Sequence, residues 1–137
     1  MGKILAIDFG LKRTGLALSD ENQCFAFGLK TVASNELMSE LKKLVPAEKI
    51  SEIVLGEPKR LDLSDSHITQ QVHFLKEALI NQFPAVTVAL YDERFTSKMA
   101  SRVIAESGLK KKHREQKGLI DQVSATILLQ DYLQTKA

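Results

Sequence analysis

Three apolar runs crowd the first 31 residues, and the gaps between them are too short for a crossover. Lys3–Phe9 (KILAIDF), Gly15–Ser19 (GLALS) and Phe25–Thr31 (FAFGLKT) read as strands, separated by Leu11–Thr14 and by the turn Asp20–Gln23. Strands this close in sequence pair antiparallel, because a parallel connection needs a dozen residues or more. Beyond them the pattern changes. Ser34-Asn35-Glu36 precedes Leu37, Leu41, Leu44 and Val45, which predicts a capped amphipathic helix stopped by Pro46. Ser51–Gly56 is a fourth strand, and Glu57–Ser66 a polar loop. Ile68, Val72, Leu75, Leu79 and Phe83 keep helical spacing up to Pro84, and Val86–Tyr91 is a fifth strand. Thr96–Ser107 reads as a helix closed by Gly108, Leu109–Glu115 as a basic loop, and Lys117–Gln134 as the last helix. Strands separated by helices form right-handed parallel crossovers. The order β-β-β-α-β-α-β-α-α therefore predicts an α/β fold with a mixed five-stranded sheet and helices on both faces.

At 137 residues the chain is expected to form a single domain, 1–137. Hydrophobic residues make up 44% and charged residues 26%, so neither a disordered nor a membrane-spanning chain is indicated. Cys24 is the only cysteine, which excludes an internal disulfide and makes the cytosol the default compartment. The start reaches a carboxylate, Asp8, too soon for a signal-peptide core. A net charge of +2 points to a nucleic-acid partner only if the positive charge is clustered.

Three acidic segments stand out against this apolar frame: Ile7-Asp8-Phe9-Gly10, Tyr91-Asp92-Glu93-Arg94 and Lys117-Gly118-Leu119-Ile120-Asp121. A lone carboxylate in a core costs several kcal/mol, roughly. Three in such positions suggest a shared purpose, holding divalent metal against a phosphate. Asp8 ends the strand face that carries Ile4 and Ala6, and the alternative is a turn aspartate bonding the Gly10 and Leu11 amides. Gly10 favours the first reading, since a residue without Cβ lets a ligand approach the backbone. Alternation puts Asp92 and Glu93 on opposite faces, so only one of them can join Asp8 and Arg94 can pair with the other; the alternative is that both acids complement the dipole of the following helix. Asp121 lies between Leu128 and Tyr132 on the helical wheel, beside Ala125, within an apolar stripe. Dipole complementation explains its early position in the helix but not its face. Glu57, after the fourth strand, is either a further acid or a loop glutamate before Pro58. Strand carboxyl ends are where open sheets of this kind bind ligands, and Asp8, Glu57, Asp92 and Glu93 all lie at such ends.

Lys12 and Arg13 sit at the tip of the first hairpin, within reach of a phosphate. Arg94 can pair with an acid or with phosphate. Lys110, Lys111, Lys112, Arg114 and Lys117 form a dense basic run just before Asp121. His67, His73, His113 and Cys24 have no zinc spacing.

Asp8-Phe9-Gly10 with Arg13-Thr14-Gly15, Leu55-Gly56-Glu57-Pro58, Asp92-Glu93-Arg94-Phe95-Thr96-Ser97, and Lys117-Gly118-x-x-Asp121 with Ala125 and Ile127-Leu128 resemble the YqgF family. Its members are bacterial RNase H-like proteins, candidate Holliday junction resolvases and candidate nucleases maturing the 5′ end of 16S ribosomal RNA. The resemblance covers essentially the whole chain. It implies an RNase H-like fold, a cytoplasmic role in ribosome biogenesis, and a nuclease using Mg²⁺ or Mn²⁺ held by Asp8, Glu93 and Asp121. Asp8 would bridge two ions roughly 4 Å apart. Structured RNA would be the substrate, with branched DNA as the alternative. Lys12, Arg13, Arg94, Lys110, Lys111, Lys112, Arg114 and Lys117 would hold the nucleic-acid backbone. Where the family commonly has Gly-Leu-Pro, this chain has Gly56-Glu57-Pro58, and the following loop lacks glycine. Glu57 is therefore an additional candidate acid, and Asp92, beside Glu93, is another. The Asp-x-Gly hairpin also occurs in actin-like kinases and Hsp70-type ATPases, but those close two such domains around a nucleotide. A non-catalytic RNA-binding assembly factor would keep the same fold.

Overall fold

A computed structural model describes residues 2–57, 66–92 and 117–136; of Glu57, Asp92, Lys117 and Asp121 it describes the backbone. Five strands form one sheet: β1 (Lys3–Asp8), β2 (Arg13–Ser19), β3 (Ala26–Ala33), β4 (Ile50–Glu57) and β5 (Thr87–Asp92), in the order β3-β2-β1-β4-β5. β1–β2 and β2–β3 are antiparallel, while β1–β4 and β4–β5 are parallel. The mixed sheet expected from loop lengths is therefore present. Among the described residues three helices accompany it: α1 (Leu37–Ala47), α2 (Ser66–Gln82) and α3 (Lys117–Lys136). The helix expected over 96–107 and the basic loop lie outside the described residues.

Strand alternation sorts the core into two layers. Leu5, Ile7, Leu16, Leu18, Ile53 and Leu55 pack with Leu37 and Leu41 of α1 and with Val72 and Leu79 of α2. On the opposite face Ile4, Ala6, Ala17 and Val54 pack with Ala125, Leu128, Leu129 and Leu133 of α3. β1 is sealed on both sides, with Ile4 through Ile7 at 0% exposure. A strand buried on both faces reads as a continuous apolar run rather than an alternating one, and Ile4-Leu5-Ala6-Ile7 is such a run. Each large side chain buried there is worth about 1.5–3 kcal/mol relative to leaving it exposed.

α3 lies diagonally across the sheet with a defined direction. A Cβ on Gly28 would fall 2.7 Å from Gln122 Nε2, so glycine lets the helix approach β3 closely. Farther along the helix, Gln130 Oε1 accepts the Ala26 amide at 3.2 Å. The helix thus moves toward the amino end of β3 as it proceeds. Since β3 runs the same way as β1, the amino-terminal end of α3 lies toward the carboxyl end of β1.

Element boundaries differ from the sequence expectation in ways that have causes. Pro46 does not stop α1 but sits inside its last turn, where the missing N–H removes one bond only. The helix closes two residues later, with the Glu48 amide on Leu44 O at 2.8 Å and Lys49 in the left-handed region at φ 53°. Ser34 does not cap α1: residues Ser34–Glu36 form a 3₁₀ turn without a side-chain cap, and the Ser34 hydroxyl is engaged elsewhere. β2 begins at Arg13 rather than Gly15, because Arg13 and Thr14 pair with Ala33 and Val32. In the β2–β3 turn the Asp20 carboxylate accepts the Cys24 and Phe25 amides at 2.7 and 2.9 Å. Those bonds, that of Phe25 foremost, hold its pKa below the usual aspartate value.

The far end of α3 is tied to the sheet by a polar contact. The Tyr132 hydroxyl donates to the Glu52 carboxylate, and its ring meets Tyr91 edge-on with centroids 5.8 Å apart. Burial, and then the bond to Glu52, push the Tyr132 phenol from 10.0 up to about 12. Between these values the unfolded chain has released a proton that the folded one keeps, so this contribution to stability is complete below pH 10 and is lost as pH rises to 12. Tyr132→Phe is expected to cost about 1 kcal/mol at neutral pH. It should also flatten the alkaline fall, as read from urea midpoints across that window.

Candidate nucleic-acid cleavage edge

Because β1, β4 and β5 are parallel and adjacent, their carboxyl ends share one edge of the sheet. Asp8, Glu57 and Asp92 are the last residues of the three strands. Glu57 and Asp92 are direct register partners across β4–β5, and Asp8 pairs with Gly15 across β1–β2. The topology brings three of the sequence-derived acids to one rim. Asp8 is partly exposed and belongs to the Ile4–Ala6 face, the one α3 covers. Asp121 is the fifth residue of α3 and stands one turn before the buried Ala125, on the end of the helix that lies toward this rim.

Glu93, Arg94, Lys110, Lys111, Lys112 and Arg114 lie outside the described residues. Lys117 is the first residue of α3. Lys12 is exposed in the turn after β1, as expected. Arg13 is not at the hairpin tip: it is the partly buried first residue of β2, held in register with Ala33. Both cations still flank the carboxyl end of β1.

Gly10 has a different reason from the one its sequence context suggests. A Cβ there would fall 2.5 Å from the Arg13 carbonyl oxygen, so glycine is required by the tightness of the turn itself. The turn is also held from outside. The Ser34 hydroxyl donates to Gly10 O at 2.5 Å, and the Ser34 amide donates to Lys12 O at 3.0 Å. The fully buried Thr14 hydroxyl lies 2.8 Å from Ser34 Oγ. With the one Ser34 proton committed to Gly10, Thr14 is the donor. Sequence reasoning missed this role: a serine ahead of a glutamate and an apolar run looks like a helix cap. The clue was the buried position of Thr14 in β2, whose hydroxyl must find a partner.

The donor set available at the rim is carboxylate oxygen, which suits hard divalent cations of the Mg²⁺ or Mn²⁺ type. Among the described residues no three His, Cys, Asp or Glu side chains converge on a metal position. Asp8 is the one candidate acid whose side chain is described, and it fits as a first oxygen ligand at a strand end.

The chain matches the family described as "RuvX: Holliday junction resolvase" over residues 2–135. A protein of Flavobacterium psychrophilum named "Putative pre-16S rRNA nuclease" is 46% identical over 136 residues, covering 99% of both chains. One of Bacteroides fragilis with the same name is 43% identical, again over 99% of both. Among solved structures, T. thermophilus RuvC in complex with Holliday junction substrate aligns at TM-score 0.59 and 16% identity, over 99% of this chain and 96% of that one. Fowlpox virus resolvase, also in complex with Holliday junction DNA, aligns at 0.58 and 16%, over 98% of both. These two likenesses establish the fold as that of the RuvC-like resolvases, the RNase H-like architecture. With its motifs, its sheet order and near full-length relatives in agreement, the chain belongs to the RuvX/YqgF family.

Proposed function

We propose that this protein is a metal-dependent nuclease that hydrolyses phosphodiester bonds at the 5′ end of pre-16S ribosomal RNA. The observation that carries the reading is the single rim on which the ends of β1, β4 and β5 place Asp8, Glu57 and Asp92. A nuclease needs closely set carboxylates beside cations, and this rim has Lys12 and Arg13 next to its first acid. The RNA substrate is supported by the names of the relatives.

Asp8, Glu93 and Asp121 are proposed as the metal-holding acids. The family resemblance supports Glu93 over Asp92, since alternation alone permits either. Glu57 is the additional acid. Bound Mg²⁺ or Mn²⁺ would supply an activated water and neutralise charge on the phosphate. The chain's own residues do the rest. Asp8 ends a strand whose residues 4–7 are buried, so its backbone is held in place for a ligand. Lys12, Arg13, Arg94 and the basic run 110–117 hold the phosphate backbone. Branched DNA is the second reading, favoured by the family's description as a Holliday junction resolvase.

A pre-16S RNA fragment and a four-way DNA junction, each incubated with Mn²⁺, test both readings. Cleavage of the RNA at a defined position is expected. Asp8→Asn and Asp121→Asn should each lower the rate about a hundredfold or more, as loss of an electrostatic contact in a reacting site does. Folding should stay intact, as read by circular dichroism. Cleavage of the junction alone would transfer the assignment to DNA, while metal-independent binding without cleavage would indicate an assembly factor.

Reversing charge at Lys110, Lys111 and Lys112 gives a separate check. RNA affinity by fluorescence anisotropy should fall, with a shallower salt dependence reflecting the lost phosphate contacts. Affinity equal to the parent at every salt concentration would remove the basic run from the interface.

A further inference from the structure

Leu11 is a large apolar side chain presented to solvent by a turn that is pinned on both sides of it. It is 61% exposed. The carbonyls of its two neighbours, Gly10 and Lys12, are both bonded by one residue, Ser34, through its hydroxyl at 2.5 Å and its amide at 3.0 Å. Ser34 is in turn anchored to the buried Thr14 hydroxyl at 2.8 Å. Gly10 tightens the same turn against the Arg13 carbonyl.

A lone exposed leucine on a loose loop calls for no explanation. Here two hydrogen bonds from Ser34 pin the carbonyls on either side of the leucine, and their position gives it a use. The other large apolar side chains that stand exposed among the described residues lie elsewhere. Phe25 and Phe27 are at the amino end of β3, and Phe74 and Ile80 on α2. Leu11 is three residues from Asp8, hence within about 11 Å of it along the chain. It directly precedes Lys12 and Arg13. A phosphate backbone held by those cations would bring its bases against this side chain.

Nucleic-acid binding proteins use apolar side chains, leucine among them, to enter between bases and unstack them. We propose that Leu11 is the residue with which this protein contacts an unpaired or unstacked base next to the cleaved phosphate, and that Ser34 positions it. The inference rests on the nuclease reading above and adds a preference that reading does not contain: for a substrate with an unpaired nucleotide at the cut. A pinned turn serves this better than a loose one, since its backbone has less freedom to lose on binding.

The test compares parent, Leu11→Ser, Leu11→Met and Ser34→Ala on two RNAs, one fully paired at the cut and one with a single unpaired 2-aminopurine there. A DNA pair of the same design runs in parallel. Leu11→Ser is expected to lower kcat/KM about fivefold on the unpaired substrate, the low end of what stacking against a base is worth. It should have much less effect on the paired one and leave the melting temperature unchanged. Leu11→Met should restore most of the loss, and Ser34→Ala should show a smaller loss in the same direction. The 2-aminopurine fluorescence change seen with the parent should be missing with Leu11→Ser. Equal kcat/KM for parent and Leu11→Ser on both substrates would overturn the proposal. A drop in melting temperature accompanied by equal losses on both substrates would also overturn it, showing Leu11 to be a packing residue. If the parent cuts neither RNA nor DNA, the nuclease reading fails. The fluorescence signal then still decides the base contact: a change with the parent that Leu11→Ser lacks upholds it, and identical signals reject it.

Discussion

The burial of β1 on both faces is the constraint from which the rest of the molecule follows. Ile4 to Ile7 touch no solvent, so each side of the strand needs its own cover: α1 and α2 on one, α3 on the other. β1 also joins the two halves of the sheet, antiparallel toward β2 and parallel toward β4. The parallel half aligns strand ends and concentrates the acids on one rim. The antiparallel half supplies a short turn that returns the chain to the same rim, with cations on it. A strand that apolar could not accept a carboxylate anywhere but at its end, which is where Asp8 stands.

Much of this was legible because the relevant signals are local. Apolar runs bounded by Gly, Pro and polar turns gave five strands near their observed places, and helical spacing gave the inward residues Leu37, Leu41, Val72 and Leu79. Loop length alone separated the antiparallel meander from the crossovers. What misled were residues whose partners are distant in sequence. Ser34 has the local form of a helix cap, yet its hydroxyl is drawn to Gly10, 24 residues earlier. Arg13 and Thr14 look like turn residues until β3 supplies Ala33 and Val32 as partners. Pro46 carries a strong local stop signal, but a proline in the last turn forfeits only one bond.

The candidate site divides in the same way. Asp8 and the rim are consequences of alternation and topology, and both could be read from sequence before any coordinates. The choice of Glu93 over Asp92 was not legible from alternation, which permits either; it came from family resemblance. The Ser34–Thr14 pair was invisible for another reason: a hydroxyl network has no periodicity. Only the demand that a buried hydroxyl find a partner exposes it, and that demand can be posed only when burial is known.

The pairing of the last helix with the first strands has a consequence for the chain's birth. One whole face of the core unites residues 4–54 with residues 125–133. During synthesis the meander and the first crossover can form early, since their contacts are local. Yet Ile4, Ala6, Ala17 and Val54 stay uncovered until α3 has emerged from the ribosome and docked. A nascent copy therefore carries a sheet with one bare side, and the partly made molecule cannot assemble the end of α3 beside the end of β1. The end of α3 that carries Asp121 therefore reaches the rim of Asp8 only after the sheet itself has formed.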